Sequence, residues 1–205
     1  MELSKQQKDA LTELINIAFS RTAASLSELT GHRVLLDVPN VAIFPIEQLG
    51  TELAQFLPAE VATVHQVFTG PVTGDALLLL NYDGAITLTD LLTDERAKSD
   101  LLHTSAREVL TEVGNILLNS CLGMFGNLLQ VHVTFSVPRL HLETLDALLR
   151  SLVIASEGLR YALVVYTAFR LRDGAVSGYL VIALNVASLD RLIQEAENWE
   201  ERQGR

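Results

Sequence analysis

The sequence predicts an α/β (α+β) chain in which one order of elements runs twice: helix, strand, strand pair, helix. Three observations carry this. A polar pattern, Asp9, Glu13, Asn16 and Pro39, recurs as Glu108, Glu112, Asn115 and Pro138, each member 99 positions after its counterpart. Helical periodicity runs through both sets of acids. An apolar strand pair with a glycine turn closes each half. A fixed offset held this far points to an internal duplication. The 205 residues are therefore expected to form a single domain, 1–205, of two repeats, about 4–100 and 104–201.

Residues 4–30 predict a long helix. Ser4 and Gln7 stand in capping-box spacing, Leu11, Leu14, Ile17 and Ala18 recur at helical intervals, and Gly31 is a stop signal. Val34–Val38 and Val41–Phe44 predict a strand broken by Pro39. Val61–Phe68 and Asp75–Asn81 predict two strands around the turn at 70–74. Ile86–Leu92 starts a helix, and Asp94–Asp100 is a charged join. Ser105 to about Met124 predicts the second long helix, with Ser105 and Glu108 in capping-box spacing. Val131–Val137 is a strand running into Pro138. Leu163–Leu171 and Gly178–Leu184 predict a hairpin around Asp173-Gly174. Ser188 to about Glu201 is a closing amphipathic helix with a solvated end. Residues 144–157 fit helix or strand.

A hydrophobic fraction of 49% and a charged fraction of 20% describe a soluble, globular chain. The net charge of −10 leaves no basic stripe for phosphates and disfavours both nucleic acid and an anionic membrane surface. The single cysteine, Cys121, excludes an internal disulfide framework and suits a reducing compartment; its Leu-rich surroundings predict an inert core thiol. Met1–Gln7 has no apolar h-region, and the longest apolar runs, such as Ala76–Leu80, are strand-sized. Neither a signal peptide nor a membrane span is expected, and the cytoplasm is the expected location.

On a helix, positions 9, 13 and 16 fall within about 60° of one another at about 100° per residue. They form one ridge beside the apolar arc, and 108, 112 and 115 repeat the arithmetic. A glutamate on a helix is ordinarily a helix former facing water. An asparagine in mid-helix is disfavoured, because its amide competes for backbone hydrogen bonds. Two asparagines at matched positions, each three residues after a glutamate, point to a use for the carboxamide. Glu108 also fits a capping acid. The histidines His32, His65, His103, His132 and His141 lack metal-ligand spacing. No phosphate-cradling glycine motif and no Ser-His-Asp or Cys-His arrangement can be nominated.

The doubled pattern, Asp9-x3-Glu13-x2-Asn16-x22-Pro39 and Glu108-x3-Glu112-x2-Asn115-x22-Pro138, resembles the signature of the CheC/CheX/FliY phosphatases of bacterial chemotaxis. Pro-Val-Thr-Gly-Asp at 71–75 and Glu-Val-Gly-Asn at 112–115 also look like CheC. The resemblance covers nearly the whole chain and, with no length left for a switch-binding domain, leans to CheC over FliY. Two residues depart from the pattern: Glu108 stands where Asp or Ser is usual, and Ile15 precedes Asn16 where the family often has glycine, a position Gly114 keeps.

The resemblance implies two long motif-bearing helices packed on a continuous, largely antiparallel sheet in pseudo-two-fold arrangement. It implies hydrolysis of the aspartyl phosphate of a CheY-type response regulator. Asn16 or Asn115 would orient the attacking water, and Glu13 or Glu112 would pair with the regulator's lysine. Asp9, Pro39, Glu108 and Pro138 would support the motif. The chain would need no cofactor of its own, since the regulator brings Mg2+. The alternative is a non-catalytic adaptor that holds CheD or a flagellar switch or response-regulator protein.

Overall fold

The computed structural model describes residues 3–93, 104–155, 160–171 and 174–203. One eight-stranded sheet runs through both halves, and every strand pair in it is antiparallel. The first half supplies α1 (Lys5–Thr30), β1 (Val34–Leu36), β2 (Asn40–Pro45), α2 (Leu49–Leu53), β3 (Glu60–Thr69), β4 (Gly74–Asn81) and α3 (Tyr82–Thr93). The second supplies α4 (Thr104–Leu129), β5 (Thr134–Phe135), β6 (Arg139–Thr144), α5 (Leu145–Ala155), β7 (Tyr161–Leu171), β8 (Gly174–Leu184) and α6 (Val186–Gln203). The two series match in order, and the 99-residue offset carries the bounds of α1 onto α4 and of β2 onto β6.

The halves exchange their outer strands. β4 and β8 pair at the centre, with β3 and β7 outside them. The next place beside β7 is filled by β1 and β2 from the first half, and beside β3 by β5 and β6 from the second. Each outer strand carries a bulge at its proline. From Leu36 to Asn40 the edge advances four positions while β7 advances three, Phe169 to Tyr166. From Phe135 to Arg139 it does the same against Phe68 to His65. Proline has no N–H to give the ladder, so Pro39 and Pro138 sit where the ladder is interrupted. The backbone around each bulge is satisfied in matching ways. Asp37 N–H donates to the Ala168 carbonyl (3.0 Å) and Ser136 N–H to that of Val67 (2.9 Å). The Thr167 hydroxyl donates to the Asp37 carbonyl and the Gln66 amide to that of Ser136.

Strand alternation divides the core between the two faces of the sheet. Ala76, Leu78 and Leu80 of β4, with Leu180 and Ile182 of β8, face α1, α3, α4 and α6 in the larger core. Leu77 and Leu79, with Tyr179 and Val181, face the smaller core under α2 and α5. The central strands are thus apolar on both sides.

The boundaries of α1 follow its signals. The Ser4 hydroxyl accepts from Gln7 N–H (3.1 Å), Gln7 Oε1 accepts from Ser4 N–H (2.9 Å), and Gly31 ends the helix at φ +70°. Such a cap is worth about 1 kcal/mol. Several other expectations are corrected. Ser105 lies within α4 rather than capping it, so its spacing to Glu108 has no capping-box role. α4 runs five residues beyond Met124, carried by the buried Phe125, Leu128 and Leu129. α3 begins at Tyr82 rather than Ile86, with the Asn81 side chain accepting from Gly84 N–H. Residues 145–155 resolve as helix, and α2 was not anticipated. α4 is also long and apolar enough to cross a membrane, although its apolar residues are not contiguous; its buried residues belong to the core on the sheet, so it is a core helix. The charged join at 94–100, His103 and the turn at Asp173 lie outside the described residues.

Candidate functional site

The two helices present the same ridge. On α1, Asp9 and Glu13 are exposed and Asn16 is half-buried; on α4, Glu108 and Glu112 are exposed and Asn115 is half-buried. None of the four carboxylates pairs with a described residue. Thr12 and Thr111 occupy matching places beside the glutamates. The apolar arc next to each ridge is the helix's contact with the core: Leu11, Leu14, Ile15 and Ala18 on α1, and Leu110, Val113, Leu117 and Leu118 on α4. Pro39 and Pro138 lie at the edge-strand bulges, Pro39 buried and Pro138 half-buried.

The ridges rest on the sheet differently. A Cβ on Gly114 would lie 2.5 Å from a methyl of Val64, a buried β-branched side chain on β3. Gly114 therefore lets α4 approach β3 and β4 directly. Ile15, at the matching place, is fully buried in the larger core, and α1 lies over β1 and β2.

The surroundings of the asparagines differ too. Asn119, one turn after Asn115, donates its amide to the Asn115 carboxamide oxygen at 2.7 Å. Either orientation of the two amides ties one end of Asn115 and leaves the other without a partner among the described residues. The corresponding residue on α1 is Ser20, whose hydroxyl donates to the Asn16 backbone carbonyl, and the Asn16 carboxamide has no partner among the described residues. An open cleft of about 640 Å3 flanks the α4 ridge, with Arg107, Arg139 and His141 alongside Glu108 and Glu112. Neither arginine pairs with a described residue. The α1 ridge borders a cleft of about 460 Å3 with Lys5, Asp9 and Glu201. Arg107, Arg139, His141 and Asn119 were not identified from the sequence. Asn119 was within reach, since a second asparagine four residues on lies on the same helix face.

The remaining candidates are structural. Cys121 is fully buried, and burial pushes its thiol far above the usual range, where it supplies no thiolate. His65 contacts the Asp75 carboxylate at 2.6 Å on the sheet face away from the long helices.

The site combines two carboxylates, an oriented carboxamide and unpaired cations on an open helix face. Such a face suits docking against another protein and orienting a water there. No family model matches the chain. A curated relative, the flagellar motor switch phosphatase FliY of Bacillus subtilis (strain 168), is 23% identical over 143 residues, 69% of this chain but 37% of that protein. The chain thus matches little more than a third of the length of that relative. Among solved structures, Thermotoga maritima FliY superposes with a TM-score of 0.77 at 18% identity, covering 97% of this chain and 99% of that one. The FliM middle domain from H. pylori gives 0.66 at 12%, with coverages of 94% and 99%. A CheC-like superfamily protein from Shewanella sp. PV-4 gives 0.51 at 11%, with coverages of 83% and 96%. Similarity to FliY exceeds that to the CheC-like protein, against the leaning drawn from chain length. The fold is that of FliY and CheC-like structures, and the homologue and its structural neighbours support the resemblance to the CheC-like chemotaxis phosphatases.

Proposed function

We propose that the chain is a protein aspartyl-phosphate phosphatase acting on a CheY-type response regulator. The observation that carries this reading is the doubled ridge, an exposed, unpaired glutamate three residues before a half-buried asparagine on both long helices. Hydrolysis of an acyl phosphate requires an aligned water and neutralised charge; the protein's contribution is positioning. Glu13 or Glu112 docks on the regulator's lysine. The Asn16 or Asn115 carboxamide hydrogen-bonds a water and directs its oxygen at phosphorus. The P–O bond to the aspartate breaks, and phosphate and a free carboxylate leave. The Mg2+ belongs to the regulator, and this chain supplies no metal ligand to the reaction.

A second reading is favoured by the likeness to FliM middle domains, one of them solved in a FliG–FliM complex from H. pylori. In that reading the chain is an adaptor that holds a switch protein, a regulator or CheD without turnover. The decay of a phosphorylated CheY-type regulator separates the two. Accelerated decay, lost when both asparagines become alanine, supports the phosphatase. Binding with an unchanged phosphoryl lifetime supports the adaptor.

A further inference from the structure

The sheet face opposite the long helices carries a groove of about 510 Å3 between α2 and strands β2, β7 and β8. Four aromatic rings line it: Phe44, Phe56, Tyr166 and Tyr179. The Tyr179 ring lies 5.2 Å from Tyr166 at 48° and 6.2 Å from Phe56 at 31°, so the rings form inclined walls instead of a closed stack. Tyr166 is fixed by a 3.0 Å hydrogen bond between its hydroxyl and that of Ser177. Phe56, just beyond the five-residue α2, is 65% exposed. Phe56 meets Tyr179 on one side and leaves most of its ring open above the groove.

We propose that this groove binds an arginine side chain presented by a segment of a partner protein. Aromatic faces carry negative charge density and attract a cation placed over them. The wall also contains the Glu52 carboxylate, which takes one long hydrogen bond from Gln55 (3.3 Å) and keeps acceptor capacity. Among the described residues no lysine or arginine lines the groove, so none of them competes for that charge. Arginine fits better than lysine, because a planar, weakly hydrated guanidinium stacks on rings while donating to a carboxylate. The volume exceeds one side chain and leaves room for the residues flanking it.

The counterpart place in the other half sharpens the point. Arg139 and Glu143 stand on β6 where β2 has Asn40 and Phe44, and His65 stands on β3 where β7 has Tyr166. At those places a carboxylate and an imidazole replace the phenyl and phenol rings of Phe44 and Tyr166. The aromatic device belongs to one half alone, and it stands whatever the two ridges do.

Calorimetric titration of the full chain with acetyl-Gly-Arg-Gly-amide and its citrulline analogue tests this. Citrulline keeps the shape and removes the charge. The arginine peptide is expected to bind about tenfold more tightly than the citrulline peptide. Phe56→Ala and Glu52→Gln should each weaken arginine binding by roughly threefold to tenfold. Both residues are solvent-accessible, so the melting temperature should not move, and an unchanged melt ties any loss to the groove. Equal affinity for the two peptides overturns the proposal, as does absence of binding at millimolar arginine peptide. Binding that survives both substitutions overturns it as well.

Discussion

The ridges on α1 and α4 have the same residue classes and the same exposure, but their support differs. Gly114 lets α4 lie against Val64, Asn119 holds the Asn115 carboxamide, and Arg107 and Arg139 stand unpaired beside Glu112. Under α1 the bulky Ile15 fills the core, and Asn16 is left without a side-chain partner. A duplicated motif is therefore not a duplicated site. The α4 copy is pre-ordered with a cationic rim, whereas the α1 copy must order its amide on contact. Pre-ordering lowers the entropy cost of reaching a reactive geometry, so under the proposed function the α4 site is expected to be the stronger one.

The largest expected effect is on turnover. Asn16→Ala with Asn115→Ala should remove about 100-fold or more of the acceleration of regulator dephosphorylation, with an unchanged melt. Of the single variants, Asn115→Ala should lose the greater share. A larger loss from Asn16→Ala would reverse the ranking.

Next come the two packing residues. Ile15→Ala empties a fully buried position and should cost about 2–5 kcal/mol in urea unfolding. Gly114→Ala drives a methyl into Val64 and should cost about 1–3 kcal/mol. It should also depress the activity left in an Asn16→Ala background, because α4 must move off the sheet. If Gly114→Ala is neutral in both measurements, the close seating of α4 has no consequence.

Asn119→Ala isolates the amide pair. The Asn119 carboxamide oxygen is buried without a hydrogen-bond partner, so relief of that cost offsets the lost bond to Asn115 and the substitution should change stability little. Activity measured in the Asn16→Ala background should fall about twofold to fivefold. No change would show that the tie between the asparagines does not order the site.

The smallest effect concerns the edge that α1 lies over. The two-pronged hydrogen bond from Arg170 holds the Asp37 carboxyl below its usual range. The folded value lies below the unfolded one, so the pair's contribution is complete above about pH 4, the ordinary aspartate range, and is lost as pH falls through the folded value. The pair is largely exposed, so the contribution is small. Urea midpoints of wild type and Arg170→Ala should differ slightly at neutral pH and converge in acid. A difference that persists in acid would mean that Arg170 acts by packing.

The parts of the fold written in local chemistry were legible in the sequence. Ser4, Gln7 and Gly31 bound α1, and apolar runs on either side of glycine turns marked β3, β4, β7 and β8. Other parts have no local signature. α2 is too short to show a period, and in α5 the run Leu145–Ala155 suits helix and strand alike. The exchange of outer strands is a choice of partner 116 to 137 positions away at β7 and 65 to 84 positions away at β3, on which composition and period are silent. At the site, the ridge residues were readable because they repeat. Arg107, Arg139 and His141 were not, because the matching places hold Lys8, Asn40 and Ala42, and only Lys8 repeats the residue type.

The exchanged strands also set the order in which the chain can finish folding. Asp37 and Arg170, which meet across one outer pair, are 133 positions apart. A growing chain holds β1 and β2 without a partner until β7 has been synthesised, while β3 waits for β5 and β6. Non-local pairing of this kind slows folding and leaves apolar edges open to chaperones or to neighbouring chains in the meantime. It has a converse. Severed between the halves, each fragment would carry the missing edge of the other, and two fragments made together would have reason to reassemble.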